Sequence, residues 1–178
     1  MNPRVLVLPG WKGSGPGHWP MRWVAAHGYS VVEQHDWQRP LRGDWLMRLE
    51  EAVIDAPSEV ALVAHSLGCQ QVAAWAAYSR NSARVRAALL VAPADMQTPV
   101  LSQALPSWSP EARQRLPFKT VVVGSENDPY CSLASAQALA MSWGAQWVNL
   151  GPAGHLNAES KLGDWPQGLA LLTELLKD

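Results

Sequence analysis

Four short runs in this chain are apolar at almost every position: VLVL within Arg4–Leu8, VALVA at Val60–Ala64, AALLV within Val85–Val91 and TVVV at Thr120–Val123. A strand with one face in water alternates apolar and polar residues. A strand apolar throughout must be covered on both faces, as in a parallel sheet between layers of helices. Two more polar runs, Ser30–Glu33 and Gln146–Leu150, suit the sheet edges. Helical patterns fall between the runs. Trp45–Ala56 sets Trp45, Leu46, Leu49, Val53 and Ile54 on one stripe behind Asp44 as N-cap. Leu67–Ser79 carries Val72, Ala73, Trp75, Ala76 and Tyr78, and Leu133–Trp143 runs from a Ser132 cap to a Gly144 stop. Pro166 opens a last helix to Leu176, and shorter helices are expected at Pro20–His27 and Pro110–Arg115. The alternation predicts right-handed crossovers and an α/β fold of about six mostly parallel strands flanked by helices. With 178 residues the chain suits one domain, 1–178, without a second core. Pro93–Pro110 is the one long irregular stretch and is expected to loop over the functional edge.

Composition narrows the function classes. The 14 basic and 15 acidic residues leave a net charge of -1, so no basic excess is present to hold a nucleic-acid backbone. Two cysteines argue against a disulfide scaffold and fit a reducing compartment, so a cytoplasmic protein is expected. The apolar run after Arg4 is too short for a signal-peptide core, and no later stretch approaches a membrane span. No His/Cys/Asp cluster has metal-ligand spacing, and neither metal nor cofactor is expected.

In open α/β sheets the working site lies beyond the carboxyl ends of the strands. After Val60–Ala64 the chain reads Ala64-His65-Ser66-Leu67-Gly68 and enters a helix. This is a nucleophile-elbow pattern with Ala64 in place of the first glycine. A serine that must project its hydroxyl from a sharp strand-to-helix turn needs a strained backbone, with small residues two positions to either side. The pattern is weak alone and gains weight from its place between a buried strand and a helix. The plain alternative is a serine packing a tight turn.

The elbow sets a test, because its partners should follow in the order serine, acid, histidine. His155, in the loop Gly151–His155, is the one histidine C-terminal to Ser66. Acids between them are Asp95, Glu111, Glu126 and Asp128; Asp128 follows a strand and precedes Pro129, which biases it toward extended backbone. Asp128 is the first choice, Asp95 the reserve, and Glu126 reads as a loop-ordering residue. Oxyanion donors are expected from the Leu67 N–H at the helix start and the Trp11 N–H in the glycine-rich loop 9–18. A phosphate cradle there fails on spacing, and Pro16 removes an amide from its middle.

Taken together, Pro9-Gly10-Trp11, Gly17-His18-Trp19, Ala64-His65-Ser66-Leu67-Gly68, Asn127-Asp128-Pro129-Tyr130 and Gly154-His155-Leu156-Asn157 resemble the small α/β-hydrolase family of retinoblastoma-binding protein nine and the bacterial YdeN-type serine hydrolases. The resemblance spans nearly the whole chain. It implies a compact hydrolase fold without a large cap domain and the triad Ser66, Asp128, His155. The expected function is hydrolysis of a small ester, thioester or amide through an acyl-enzyme, with a small-molecule acyl substrate. The alternative is a catalytically silent fold serving as a binding module. The pocket-protein motif L-x-C-x-E is absent, its nearest approach being Leu67–Gln71, so the binding role in the family name does not carry over. Oligomeric state is not legible.

Other residues have plainer readings. His65 should point away from the Ser66 hydroxyl. His18 and Trp19 should order the oxyanion loop, and His27 and His35 should lie at surfaces or helix ends. Cys69 reads as a packed small hydrophobe and Cys131 as partly exposed. Asn157 either donates to the acid loop or caps a turn. Ten tryptophans against one Phe and three Tyr are the compositional oddity. Trp23, Trp45, Trp75, Trp143 and Trp147 read as packing. Trp11, Trp37, Trp108 and Trp165 fall in loops on the site face and Trp19 ends the oxyanion loop. Some of these are expected to wall the substrate pocket, Trp37, Trp108 and Trp165 among them, the alternative being that they close loop tips.

Overall fold

The computed structural model describes residues 2–177. Its sheet has six parallel strands, β1 (Arg4–Leu8), β2 (Ser30–Val31), β3 (Val60–His65), β4 (Val85–Val91), β5 (Lys119–Gly124) and β6 (Gln146–Asn149), in the order β2-β1-β3-β4-β5-β6. The helices are α1 (Trp19–His27), α2 (Arg42–Asp55), α3 (Leu67–Ala76), α4 (Pro99–Ala104), α5 (Leu133–Trp143) and α6 (Pro166–Leu175).

The apolar runs explain the layering. Successive side chains of a strand point to opposite faces. Leu6, Leu8, Leu62, Ala64, Ala88, Leu90 and Val122 pack with Leu49, Val53, Val72, Leu139 and Trp143 of α2, α3 and α5. Val5, Val7, Ala61, Val63, Leu89, Val91 and Val121 face the other way, onto Trp19, Trp23 and Leu172 of α1 and α6. The central strands are therefore covered on both sides, and each buried Val or Leu contributes roughly 1.5–3 kcal/mol. From β1 the chain goes to one edge, returns to β3 and then winds outward to the other edge. The strand order reverses between β1 and β3, and at such switch points a crevice opens beyond the carboxyl ends.

The structure departs from sequence expectation in several places. α2 starts earlier, at Arg42, with Leu41 as a cap that offers no side-chain bond; Asp44 lies within the first turn, where its charge suits the helix dipole. Ile54 is 50% exposed, and α3 ends at Ala76, leaving Tyr78 at 76% exposed. The expected helix Pro110–Arg115 does not form. Its backbone is bound instead to the end of α5: the Trp143 indole donates to the Ala112 carbonyl at 2.9 Å, and the Leu116 N–H donates to the Trp143 carbonyl at 3.0 Å. The helix of this region is α4, inside the stretch expected to be irregular. Thr98 caps it by accepting from the Leu101 N–H at 3.4 Å, and Pro99 supplies a first position that needs no N–H. Leu101, Leu105 and Trp108 then pack with Trp45, Leu67, Ala94 and Met96, seating α4 and the turn Pro106–Trp108 over the strand ends.

Candidate active site

β3 runs directly into α3 through Ser66, whose backbone sits at φ 54° and ψ -116°, a conformation that costs a non-glycine residue about 1–3 kcal/mol. Three backbone hydrogen bonds hold it there. The Ser66 N–H donates to the Val91 carbonyl at 3.0 Å, and the Ser66 carbonyl accepts from the amides of Cys69 at 3.0 Å and Ala94 at 3.3 Å. Two glycines make the turn sterically feasible. A Cβ on Gly68 would meet the Leu8 carbonyl oxygen at 2.3 Å, and one on Gly10 would lie 3.0 Å from the Ser66 Cβ. Ala64, where a glycine is usual, points into the packed α2/α3/α5 side, and a methyl fits there.

The structure brings Ser66, His155 and Asp128 together. Nε2 of His155 lies 2.9 Å from the Ser66 Oγ, and Nδ1 lies 2.9 and 3.0 Å from the two Asp128 oxygens. A carboxylate can only accept, so Nδ1 carries the proton and Nε2 keeps the lone pair that accepts from the serine hydroxyl. The side chains of His155 and Asp128 are 9% and 3% exposed, so the pair works with little screening by water. Asp128 also accepts from the Tyr130 N–H at 2.9 Å.

The other acids serve elsewhere. Asp95 accepts from the Gln97 N–H at 3.0 Å, Glu111 from the Met96 N–H at 3.2 Å, and Glu126 from the Asn149 amide at 3.0 Å. Sequence reasoning passed over Ser125 and Asn127, which clasp the loop carrying Asp128 to the loop carrying His155. Ser125 accepts from the Ala153 N–H at 2.9 Å, and Asn127 accepts from the Gly154 N–H at 2.7 Å and from the Ser125 hydroxyl at 3.1 Å. Their signal is the run Ser125-Glu126-Asn127-Asp128 after a buried strand, because Ser and Asn readily bond loop backbone. Asn157 caps its own turn by accepting from the Glu159 N–H at 3.1 Å.

A cavity of about 380 Å³ opens beside Ser66. Trp11 and Leu67, the expected oxyanion donors, both line it. The Leu67 N–H is the first of α3, where no intrahelical carbonyl is available to it and the helix dipole is positive. Ala94, Leu101 and Leu105, which pack in one cluster, give the cavity apolar lining, and Ser14, Asn157 and Glu159 contribute polar lining.

Of the loop tryptophans, Trp11 lines this cavity and Trp37, Trp108 and Trp165 do not, so for those three the pocket-wall reading is corrected in favour of loop closure. Trp108 donates its indole N–H to the Pro40 carbonyl at 2.8 Å and packs edge-on against Trp45; Trp37 also packs edge-on against Trp45. Trp165 joins Trp19 and Trp23 in an aromatic cluster on the α1/α6 side. These rings close loops, and the N–H groups of Trp11, Trp19, Trp23 and Trp45 likewise fasten loop carbonyls. Cys131 is 3% exposed, not partly exposed as expected; burial pushes both its thiol and that of Cys69 well up, so neither forms a thiolate readily. His65 donates from Nε2 to the His155 carbonyl at 2.8 Å, while the serine hydroxyl is bonded to His155. Burial holds His65 well below the ordinary imidazole range and pushes His18 down to about 4, so both are neutral near pH 7. Among the described residues no group of three or more His, Cys, Asp or Glu could hold a metal ion, and no helix is long and apolar enough to cross a membrane.

A protein-family model described as serine hydrolase matches residues 5–174. Among solved structures, the chain is similar to a YdeN-like hydrolase from Pectobacterium atrosepticum, at 25% identity and a TM-score of 0.86, covering 99% of this chain and 94% of that one. It is also similar in fold to the ydeN gene product of Bacillus subtilis (20% identity, TM-score 0.78, 97% and 98% covered). A third likeness in fold is to Est1E from Butyrivibrio proteoclasticus (12% identity, TM-score 0.68, 99% and 90% covered). No curated protein matches the chain.

Proposed function

The chain belongs to the serine hydrolase family, and on that premise we propose that Ser66, His155 and Asp128 are its catalytic triad, cleaving a small ester, thioester or amide through an acyl-enzyme. Ser66 attacks the acyl carbonyl as its proton passes to Nε2 of His155. The tetrahedral oxyanion is met by the N–H groups of Leu67 and Trp11. Collapse expels the leaving group, which takes the proton from His155. Water then attacks the acyl-enzyme by the same route, releasing the acid and returning the proton to Ser66. Asp128 holds the tautomer and stabilises the imidazolium. The observation carrying this reading is the 2.9 Å contact between His155 Nε2 and a serine held in a strained turn. A silent binding fold has no requirement for that strain.

The cavity supports a finer assignment. A leaving group must lie where His155 can protonate it, beside Asn157 and Glu159, and is therefore polar. The acyl group takes the apolar wall of Ala94, Leu101 and Leu105 and is therefore a short to medium hydrocarbon. We further read residues 1–178 as one catalytic domain. Its kinship reaches to retinoblastoma-binding protein nine, its partner is a small acyl substrate and no nucleic acid, and two buried free thiols favour work in the cytoplasm. The test is hydrolysis of p-nitrophenyl esters from acetate to decanoate. Wild type should turn over a short to medium ester, and Ser66→Ala should be slower by at least ~10³-fold. Wild-type turnover in Ser66→Ala would rule the triad out.

A further inference from the structure

The base loop carries more backbone strain than a histidine needs merely to be present. His155 stands between Gly154 at φ 63° and Leu156 at φ 52°, and Leu156 is a fully buried non-glycine residue in the left-handed region. Such backbone persists only where its surroundings over-determine it. Here the surroundings are two histidines outside the triad. His65 donates from Nε2 to the His155 carbonyl at 2.8 Å. His18 donates from Nε2 to the Leu156 carbonyl at 3.2 Å, joined there by the Trp19 indole N–H at 2.8 Å. With its Nε2 proton committed to a carbonyl, neutral His18 has a lone pair at Nδ1. That lone pair accepts from the Ser14 hydroxyl at 2.8 Å. The His18 and His65 rings meet edge to face, 4.5 Å between centroids, so each fixes the other's plane.

We propose that His65 and His18 are positioning residues that set the catalytic base by gripping the backbone of its loop, and that Ser14 extends the grip to the oxyanion loop. The proposal rests on His155 being the base. It ties together the three pieces that must stay in register: the elbow through His65, the base loop through the carbonyls of His155 and Leu156, and the oxyanion loop through Ser14. Neutrality is part of the device. A protonated His18 has no lone pair for Ser14, and burial keeps both rings neutral. Outer-shell partners that orient metal-ligating residues matter by about 10–100-fold, and a base oriented through its backbone should respond on the same scale; a displacement near 1 Å at the reacting atoms costs about 10²-fold.

The test compares His65→Gln, which keeps an amide donor near the same reach, with His65→Leu, which fills the space without one. Steady-state ester hydrolysis and thermal melting are read on each. His65→Leu should lose ~10–100-fold in kcat with KM within about twofold, and His65→Gln should recover most of that loss. Unchanged kcat in His65→Leu overturns the proposal. So does an equal fall in both variants that follows their melting temperatures, since packing alone then accounts for it. If His65→Leu does not fold, Ser14→Ala reads the same network from the solvent side. A ~3–10-fold loss of kcat there supports the proposal, and an unchanged kcat overturns it. His155→Ala is run alongside. Ester turnover surviving in it refutes the reading of His155 as the base, a result distinguishable from any failure of the His65 and Ser14 variants.

Discussion

Gly68→Ala sets two magnitudes of opposite sign against each other. Gly68 lies in the first turn of α3, where replacing glycine by alanine in a helix ordinarily gains about 1 kcal/mol. The packing says otherwise. The new Cβ would stand 2.3 Å from the Leu8 carbonyl oxygen, 3.1 Å from its carbon and 3.2 Å from the Pro9 oxygen. Real Cβ contacts essentially never fall below 3.0 Å, so backbone must move by about 0.7 Å or more. Leu8 cannot yield easily, because it is paired with Ala64 of β3 and fully buried. Overpacking against backbone costs about 3 kcal/mol, which exceeds the helical gain and leaves a net loss of about 2 kcal/mol. For a chain of this size that lowers Tm by roughly 4–8 °C. Moving α3 off β1 also moves Ser66 and the Leu67 N–H away from His155, so kcat should fall by ~10²-fold. Gly43→Ala is the control. It makes the same substitution in α2 with nothing within 4 Å of the new methyl, and it should raise stability by roughly 0.5–1 kcal/mol. Paired urea and thermal unfolding of the two variants decides the matter. A Gly68→Ala protein that melts at or above wild type would refute the steric argument.

Two further predictions concern strain and acid. Ser66→Gly relieves the φ 54° backbone while Ser66→Ala keeps it, so both should be inactive and Ser66→Gly more stable by roughly 1 kcal/mol in urea unfolding; equal stability would mean the turn is not strained. For acid, burial depresses His18 to about 4 from its ordinary 6.5, so the unfolded chain takes up the proton first. Above pH 6.5 neither state carries the proton and the contribution is flat. Below it stability falls, by about 3 kcal/mol from His18 alone by pH 4, and His65 adds in the same direction. The slope of unfolding free energy between pH 6.5 and 4.5 should drop by about one proton in His18→Gln, and an unchanged slope would contradict the burial argument.

The sheet was legible because its strands are buried on both faces, a condition that leaves its mark on every residue of a run. The elbow was legible because strained turns admit few residue types, and His155 because no other histidine follows Ser66. The stretch Pro93–Pro110 and the expected helix Pro110–Arg115 differ from the structure for the opposite reason. Whether Ala112 and Leu116 bond within a local helix or to Trp143 depends on where α5 packs, which no local pattern records. The tryptophans misled similarly. Position in a loop at the strand ends does not tell whether a ring faces the cavity, and Trp108 and Trp165 turn inward to fill gaps between loops. Loop clasps such as Asn127 on Gly154 are long-range bonds from short polar side chains, and in sequence they resemble any turn.

The central claim is that Ser66 is a nucleophile activated by His155. It is tested most directly by treating the native protein with a fluorophosphonate and locating the adduct by peptide mass spectrometry, with Ser66→Ala and His155→Ala in parallel. Stoichiometric modification of Ser66 is predicted for wild type, with none in Ser66→Ala and labelling slowed by at least ~10²-fold in His155→Ala. A folded wild-type protein that stays unmodified at Ser66, or that labels equally fast without His155, would contradict the account.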